Sequence, residues 1–188
     1  MKQLFQKTNV LHVLVYFFEN PYSESYLREI ARKTRMSPST LSRSLDFLAK
    51  EGLILKRTEK NSTYFKASMT SGFTSGFKSL KTAFTISKIE DAKIVESIRE
   101  KSKGLSSVLL YGSAAIGEDA PDSDFDILVI SAHCAISAEE LSRKLGNETS
   151  LKKYSIAEWK KISKQNRAFY LEVISKSIAL LGQKPVID

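Results

Sequence analysis

The sequence predicts a mixed α/β (α+β) chain in two parts: a helical front ending in a β-hairpin, and a back half with a small mixed sheet. Three observations carry this. Apolar residues recur at helical spacing to about residue 50, and two short strand-like runs follow by residue 67. Residues 68–76, Ser-Met-Thr-Ser-Gly-Phe-Thr-Ser-Gly, are small and polar and read as a boundary. From Gly104 onward, strand-like and helical runs alternate. The expected division is 1–70, then a linker and connecting helices over 71–103, then 104–188.

Residues 4–18 read as a helix with Leu4, Val10, Leu11, Leu14, Val15 and Phe18 on its apolar face. Asn20-Pro21 ends it, because proline removes a donor and restricts the residue before it. Ser23 or Ser25 is placed to cap a short helix through Leu27, Ile30 and Ala31. Ser37-Pro38 is a cap followed by proline at the first helical position. The helix it opens runs to about Lys50, with Leu41, Leu45 and Leu48 as its buried seam. Leu53–Arg57 and Thr63–Ala67 read as strands about a turn at 59–62. Helical stretches follow, one with Phe73, Phe77, Leu80 and Phe84, the next with Ile94, Val95 and Ile98. They suit packing on their own domain, a bridge between domains, or pairing with a second chain.

In the back half, Leu105–Tyr111 reads as an apolar strand ending in Gly112-Ser113. Asp124–Ile130 reads as a second, with Phe125, Ile127 and Val129 on one face and Asp124, Asp126 and Leu128 on the other. Ser137 caps a helix through Leu145, residues 148–155 form a third strand, and 156–163 and 166–181 read as helices.

At 188 residues and 42% hydrophobic content, the chain can bury its cores without staples. Its single cysteine, Cys134, cannot form an internal disulfide, which fits a reducing compartment. No apolar run approaches the roughly 18 residues of a membrane span, and Met1–Phe5 lacks a signal-peptide core. A secreted disulfide scaffold, a membrane protein and a disordered tail are excluded, and a cytoplasmic location is expected. His12, His133, Cys134 and Trp159 lack catalytic partners at any recognisable spacing and read as structural.

The net charge of +8 is unevenly spread. Residues 1–70 carry a net +6, residues 71–104 a net +3, and residues 105–188 a net −1. A basic front half points to a polyanion partner. No Lys or Arg occurs from 104 to 142, a stretch that holds Glu118, Asp119, Asp122, Asp124, Asp126, Glu139 and Glu140. Two of these acids on one strand between apolar positions point to a bound cation.

On the helix from 38 to 50, the face opposite the leucines holds Ser39, Arg43, Asp46 and Lys50, flanked by Thr40 and Ser42. Hydroxyls and an arginine near a helix start suit phosphates and base edges in a major groove. The hairpin adds Lys56, Arg57, Lys60 and Asn61. The stretch from Tyr26 to Ile54 resembles the winged helix-turn-helix family of transcription regulators, over about residues 1–70. That resemblance implies binding of double-stranded DNA, usually as a homodimer, through Ser37, Ser39, Thr40, Ser42, Arg43, Lys56, Arg57 and Lys60.

The second motif is Tyr111-Gly-Ser-Ala-Ala-Ile-Gly-Glu-Asp-Ala-Pro-Asp-Ser-Asp-Phe-Asp-Ile-Leu-Val. Glycine lets the backbone approach a phosphate, and amides and the Ser113 hydroxyl can bind its oxygens. Period-two spacing puts Asp124 and Asp126 on one side, about 7 Å apart along a strand, which suits one or two Mg²⁺ ions bridged by triphosphate oxygens.

The motif resembles the minimal nucleotidyltransferases of the DNA polymerase β superfamily, over roughly residues 105–182. The resemblance implies transfer of a nucleoside monophosphate from a Mg²⁺-bound nucleoside triphosphate to an acceptor hydroxyl. It places nucleotide contacts on Gly112, Ser113 and Ser123 and metal on Asp124 and Asp126. It also implies a third carboxylate, for which Glu148 is the candidate. Many relatives carry a basic residue where Ala115-Ile116 stand. Triphosphate charge would then fall to metal, amides or a distant cation, with Lys152, Lys153 and Arg167 available. The leading expectation is a DNA-binding nucleotidyltransferase. The alternatives are a transcription regulator that senses nucleotide without turnover, and an antitoxin-type protein that modifies or masks a protein acceptor.

Overall fold

The computed structural model describes residues 8–60, 62–69 and 76–187. The chain divides into two compact units, residues 1–84 and 85–188. The boundary expected at 68–76 falls largely on residues 70–75, outside the described residues, as do the helical positions Leu4 and Phe73.

In the first unit, α1 (Asn9–Glu19) buries Val13, Leu14, Phe17 and Phe18. Asn20 closes it, its side-chain amide donating to the Tyr16 carbonyl at 2.8 Å. A two-residue strand, β1 (Ser25–Tyr26), precedes α2 (Leu27–Thr34). No serine caps α2: Tyr26 holds the cap position without a side-chain bond, and Ser25 Oγ pairs instead with Tyr16 Oη at 2.7 Å. The local signal lost because Ser25 is drawn into a strand and buried. Helix α3 (Pro38–Lys50) starts as expected, with Ser37 accepting from the Thr40 amide and Pro38 in the first turn. Leu41, Leu45 and Leu48 are fully buried. Strands β2 (Ile54–Glu59) and β3 (Ser62–Ala67) pair antiparallel, with β1 on the outer side of β3.

Helix α4 (Gly76–Asp91) runs through the division between the units. Phe77, Leu80 and Phe84 join the cluster of Val13, Phe17, Ile30 and Leu45, while Ile89 joins that of the second unit. These aromatic positions therefore pack within their own unit.

The second unit centres on a four-stranded mixed sheet in the order β6-β5-β4-β7. After α5 (Ile94–Glu100) come β4 (Ser102–Tyr111), the single-turn α6 (Gly112–Ala115) and β5 (Phe125–Cys134), antiparallel to β4. Helix α7 (Ala138–Leu145) is capped by Ser137 and stopped by left-handed Gly146. It crosses over to β6 (Thr149–Tyr154), parallel to β5. Helices α8 (Ile156–Gln165) and α9 (Arg167–Lys176) follow. Ser155 and Glu158 close a reciprocal capping box on α8, and Trp159 is fully buried, donating to the Pro185 carbonyl at 2.7 Å.

The last expected helix, 166–181, is cut short. Helix α9 ends at Lys176, and Ile178–Leu181 form a strand, β7, antiparallel to β4. An Ile-Ala-Leu-Leu run satisfies either period. The β4 edge opposite β5 decides, because its backbone groups need partners that only another strand supplies. One face of the sheet packs Val108, Leu110, Ile127 and Val129 on α5 and α7 residues. The other packs Leu109, Tyr111, Leu128 and Ile130 against Trp159, Tyr170 and Val173.

Candidate nucleotide and metal site

The site forms where β4 breaks into α6. Gly112 adopts φ +70°, which an L side chain rarely takes. A Cβ there would run into the carboxylate of Asp126, the residue across from Tyr111 in the β4–β5 register. The glycine thus brings backbone against an acid. The loop after α6 is knotted locally: the Ile116 and Glu118 amides both donate to the Ser113 carbonyl, at 3.2 and 2.9 Å. Ser123 closes the loop's end, its hydroxyl accepting from the Ala120 amide at 2.9 Å. Its observed contact is therefore with the loop that carries Asp124.

Asp124 stands just before β5 and is exposed, while Asp126 is the strand's second residue and half-buried. Burial raises the Asp126 pKa above the usual aspartate range, and the Asp124 charge adds to this. A hydrogen bond from Ser150 and the charge of Lys152 pull the other way, and Glu172 on α9 pushes it up again. Tyr111 beside it is pushed up to about 12, first by burial and then by the Asp126 charge. Ser150 leans against both side chains, yet the buried Tyr111 hydroxyl has no hydrogen bond of normal geometry among the described residues.

Glu148 is exposed just ahead of β6, and its carbonyl accepts from the Phe125 amide at 2.9 Å. The residue beside Asp126 in the β5–β6 register is Ser150. Among the described residues, no three His, Cys, Asp or Glu side chains gather as a metal-ligating set, so Glu148 does not join Asp124 and Asp126 in one. Two hard carboxylate donors, one destabilised by burial and by its neighbour's charge, suit a divalent cation that takes its other ligands from phosphate and water. Sequence reasoning missed Ser150, Phe169 and Glu172. No local signal marks them, because the β5–β6 register and α9 bring them in.

In the first unit, Ser39 and Arg43 are exposed on α3, with Thr40 and Ser42 partly so. The Ser37 hydroxyl, besides capping, donates to Thr40 Oγ1 at 2.9 Å. Two of the hairpin's cations are held by acids. Lys56 pairs with Asp46 at 2.8 Å, and Arg57 chelates Glu24 through Nε and Nη2 at 3.1 and 2.9 Å while also meeting Glu59. Lys60 stands at the hairpin tip with φ +50°. Glu24 was not foreseen, lying 33 residues before its partner.

Residues 91–179 match the family model described as nucleotidyltransferase domain, and residues 9–56 match that of the bacterial regulatory protein, arsR family. The chain therefore carries a nucleotidyltransferase domain behind a helix-turn-helix domain of the arsR type. Two similar solved structures are of toxin–antitoxin proteins. One, a crystal structure of a toxin-antitoxin with AMP-PNP, is 21% identical at a TM-score of 0.39, over 49% of this chain and 73% of that one. The other, a mutant of the toxin-antitoxin MntA-HpeT, is 19% identical at the same score and coverage. No curated protein matches the chain. Among the described residues, no helix is long and apolar enough to cross a membrane.

Proposed function

We propose that the chain binds a nucleoside triphosphate with Mg²⁺ at Gly112, Ser113, Asp124 and Asp126, and transfers its nucleoside monophosphate to an acceptor hydroxyl. The helix-turn-helix unit would bind double-stranded DNA. The carrying observation is the packing of Gly112 against Asp126. It sets backbone able to approach a phosphate beside an acid that gains from a cation. The acceptor oxygen attacks the α-phosphorus, the bond to the β-phosphate oxygen breaks, and pyrophosphate leaves. Glu148, exposed just ahead of β6 and outside the Asp124–Asp126 pair, would take the acceptor's proton. Asp124 and Asp126 would hold Mg²⁺, whose charge neutralises the phosphates. Gly112 and Ser113 orient the phosphate chain.

Calorimetric titration of Mg·ATP, and of the other Mg·NTPs, into wild type and an Asp124→Ala/Asp126→Ala double variant tests the site. Saturable binding lost in the variant supports it, and no binding to wild type rejects it. A second reading, nucleotide sensing without turnover, is favoured by one observation: Ser150, not an acid, flanks Asp126. Labelled transfer to a protein or nucleic-acid acceptor, abolished by Glu148→Gln, would exclude that reading. On α3, Arg43→Ala should weaken specific DNA binding by roughly 1–3 kcal/mol if Arg43 reads a guanine, and equally on all sequences if it meets a phosphate.

A further inference from the structure

The nucleotide-binding segment supplies no cation of its own, since Lys and Arg are absent from 104 to 142. The fold brings one in. Ser150 sits beside Asp126 in the β5–β6 register, and Lys152 follows two residues on, beside Leu128 and on the same face of the sheet. Its ammonium lies over the Phe169 ring, 4.1 Å from the centroid, and 5.9 Å from that of Tyr111. Phe169 is itself braced edge-on against Tyr111 at 5.6 Å and Trp159 at 6.1 Å. The lysine thus rests on a packed aromatic ledge whose near end, Tyr111, leads directly into Gly112-Ser113.

The other candidate cations are committed elsewhere. Lys153 donates to the carbonyls of Cys134 and Ile136 at 3.1 and 3.0 Å and Lys88 bonds Asn147 at 2.9 Å, while Arg167, at the start of α9, lies 5.7 Å from the Tyr170 ring and not against Tyr111. Lys152 makes no ion pair within 4 Å among the described residues, although Asp126 feels its charge.

We propose that Lys152, steadied on Phe169 and Tyr111, is the positioning cation for the phosphate chain of the bound nucleotide, and that it makes the site selective for nucleotides with more than one phosphate. The proposal rests on the nucleotide-binding reading above. It also accounts for Ala115-Ile116: the charge absent from the loop is delivered from β6.

The test is calorimetric titration of Mg·ATP and Mg·AMP into wild type, Lys152→Met, Lys152→Arg and Phe169→Leu, with thermal melts confirming the fold. Lys152→Met should weaken Mg·ATP by about tenfold or more and Mg·AMP by less than about threefold. Lys152→Arg should recover most of the loss, because guanidinium keeps both the charge and the ring contact. Phe169→Leu keeps the charge but removes the ledge, and should fall between. An unchanged ATP-to-AMP ratio in Lys152→Met overturns the proposal while leaving the site intact, and marks Lys152 as a counter-ion of Asp126 alone. Failure of wild type to bind either nucleotide overturns both readings.

Discussion

Gly112 and Asp126 are packed so closely across the β4–β5 pair that one added methyl group on the glycine would occupy the aspartate's carboxylate. The positive φ at Gly112 makes the same substitution unfavourable for the backbone. Gly112→Ala should therefore act twice. We expect a destabilisation of roughly 1–3 kcal/mol and a loss of Mg·ATP affinity of about tenfold or more, since Asp126 must move. Denaturant melts and calorimetry measure the two separately.

Asp126 itself should weaken the fold it serves. Its folded pKa lies above the ordinary 3.8, so the native state holds the proton more tightly than the unfolded chain. Stability then falls as pH rises from near 3.8 through the raised value, and stays lower above it. Burial is the main cause of the shift; Asp124 and Glu172 add to it, and Ser150 and Lys152 oppose it. Asp126→Asn removes the charge and keeps a group that Ser150 can bond. Melts in EDTA at pH 7 should show a midpoint at or above wild type, with the gap closing below pH 4. Metal affinity should show the opposite trend: Mg²⁺ binding to wild type weakens as pH falls through the raised pKa, and is lost in the variant.

The hairpin arginine offers a test with an unusual sign. Glu24 holds Arg57 by two hydrogen bonds at the surface of the basic unit. Releasing it with Glu24→Gln should tighten non-specific duplex binding about two- to fivefold at low salt and steepen the salt dependence by about one phosphate contact. Fluorescence anisotropy across a salt series reads both. An affinity that drops instead would mean the Glu24–Arg57 pair is needed to set the hairpin's conformation.

The edge strand β7 depends on Gly182. A Cβ there would strike the Ser106 carbonyl, φ is +70°, and the Ser107 hydroxyl donates to the next residue's carbonyl at 2.6 Å. Gly182→Ala should cost roughly 1–3 kcal/mol and unpair β7 from β4. Hydrogen exchange at 178–181 and on the facing residues of β4 would show it, while amides in β6 stay protected.

Much of the fold is legible in the sequence. Ser37-Pro38, the Leu41–Leu45–Leu48 seam and the Ser137 cap are signals that act within one helical turn, and the structure contains each of them. Gly112-Ser113 and Asp124-Phe125-Asp126 were legible as one motif through their joint spacing, and the family resemblance suggested its chemistry. Local grammar was misleading where two answers cost the same locally. Ser25 fits a cap or a strand, and Ile178–Leu181 a helix or a strand. Each was settled by a distant partner, Phe65 on β3 and the β4 edge. The site's outer parts were hidden for the same reason. Ser150 meets Asp126 because a parallel crossover through α7 sets the β5–β6 register, and Lys152 meets Phe169 because α9 folds back over that face. Sequence by itself determined the starts of α3 and α7 and the leucine seam of α3, since these depend on neighbours a few residues apart. Only tertiary structure decided which serine, which acid and which lysine surround Asp126, because a register and a packing face belong to pairs of segments and are written in neither one.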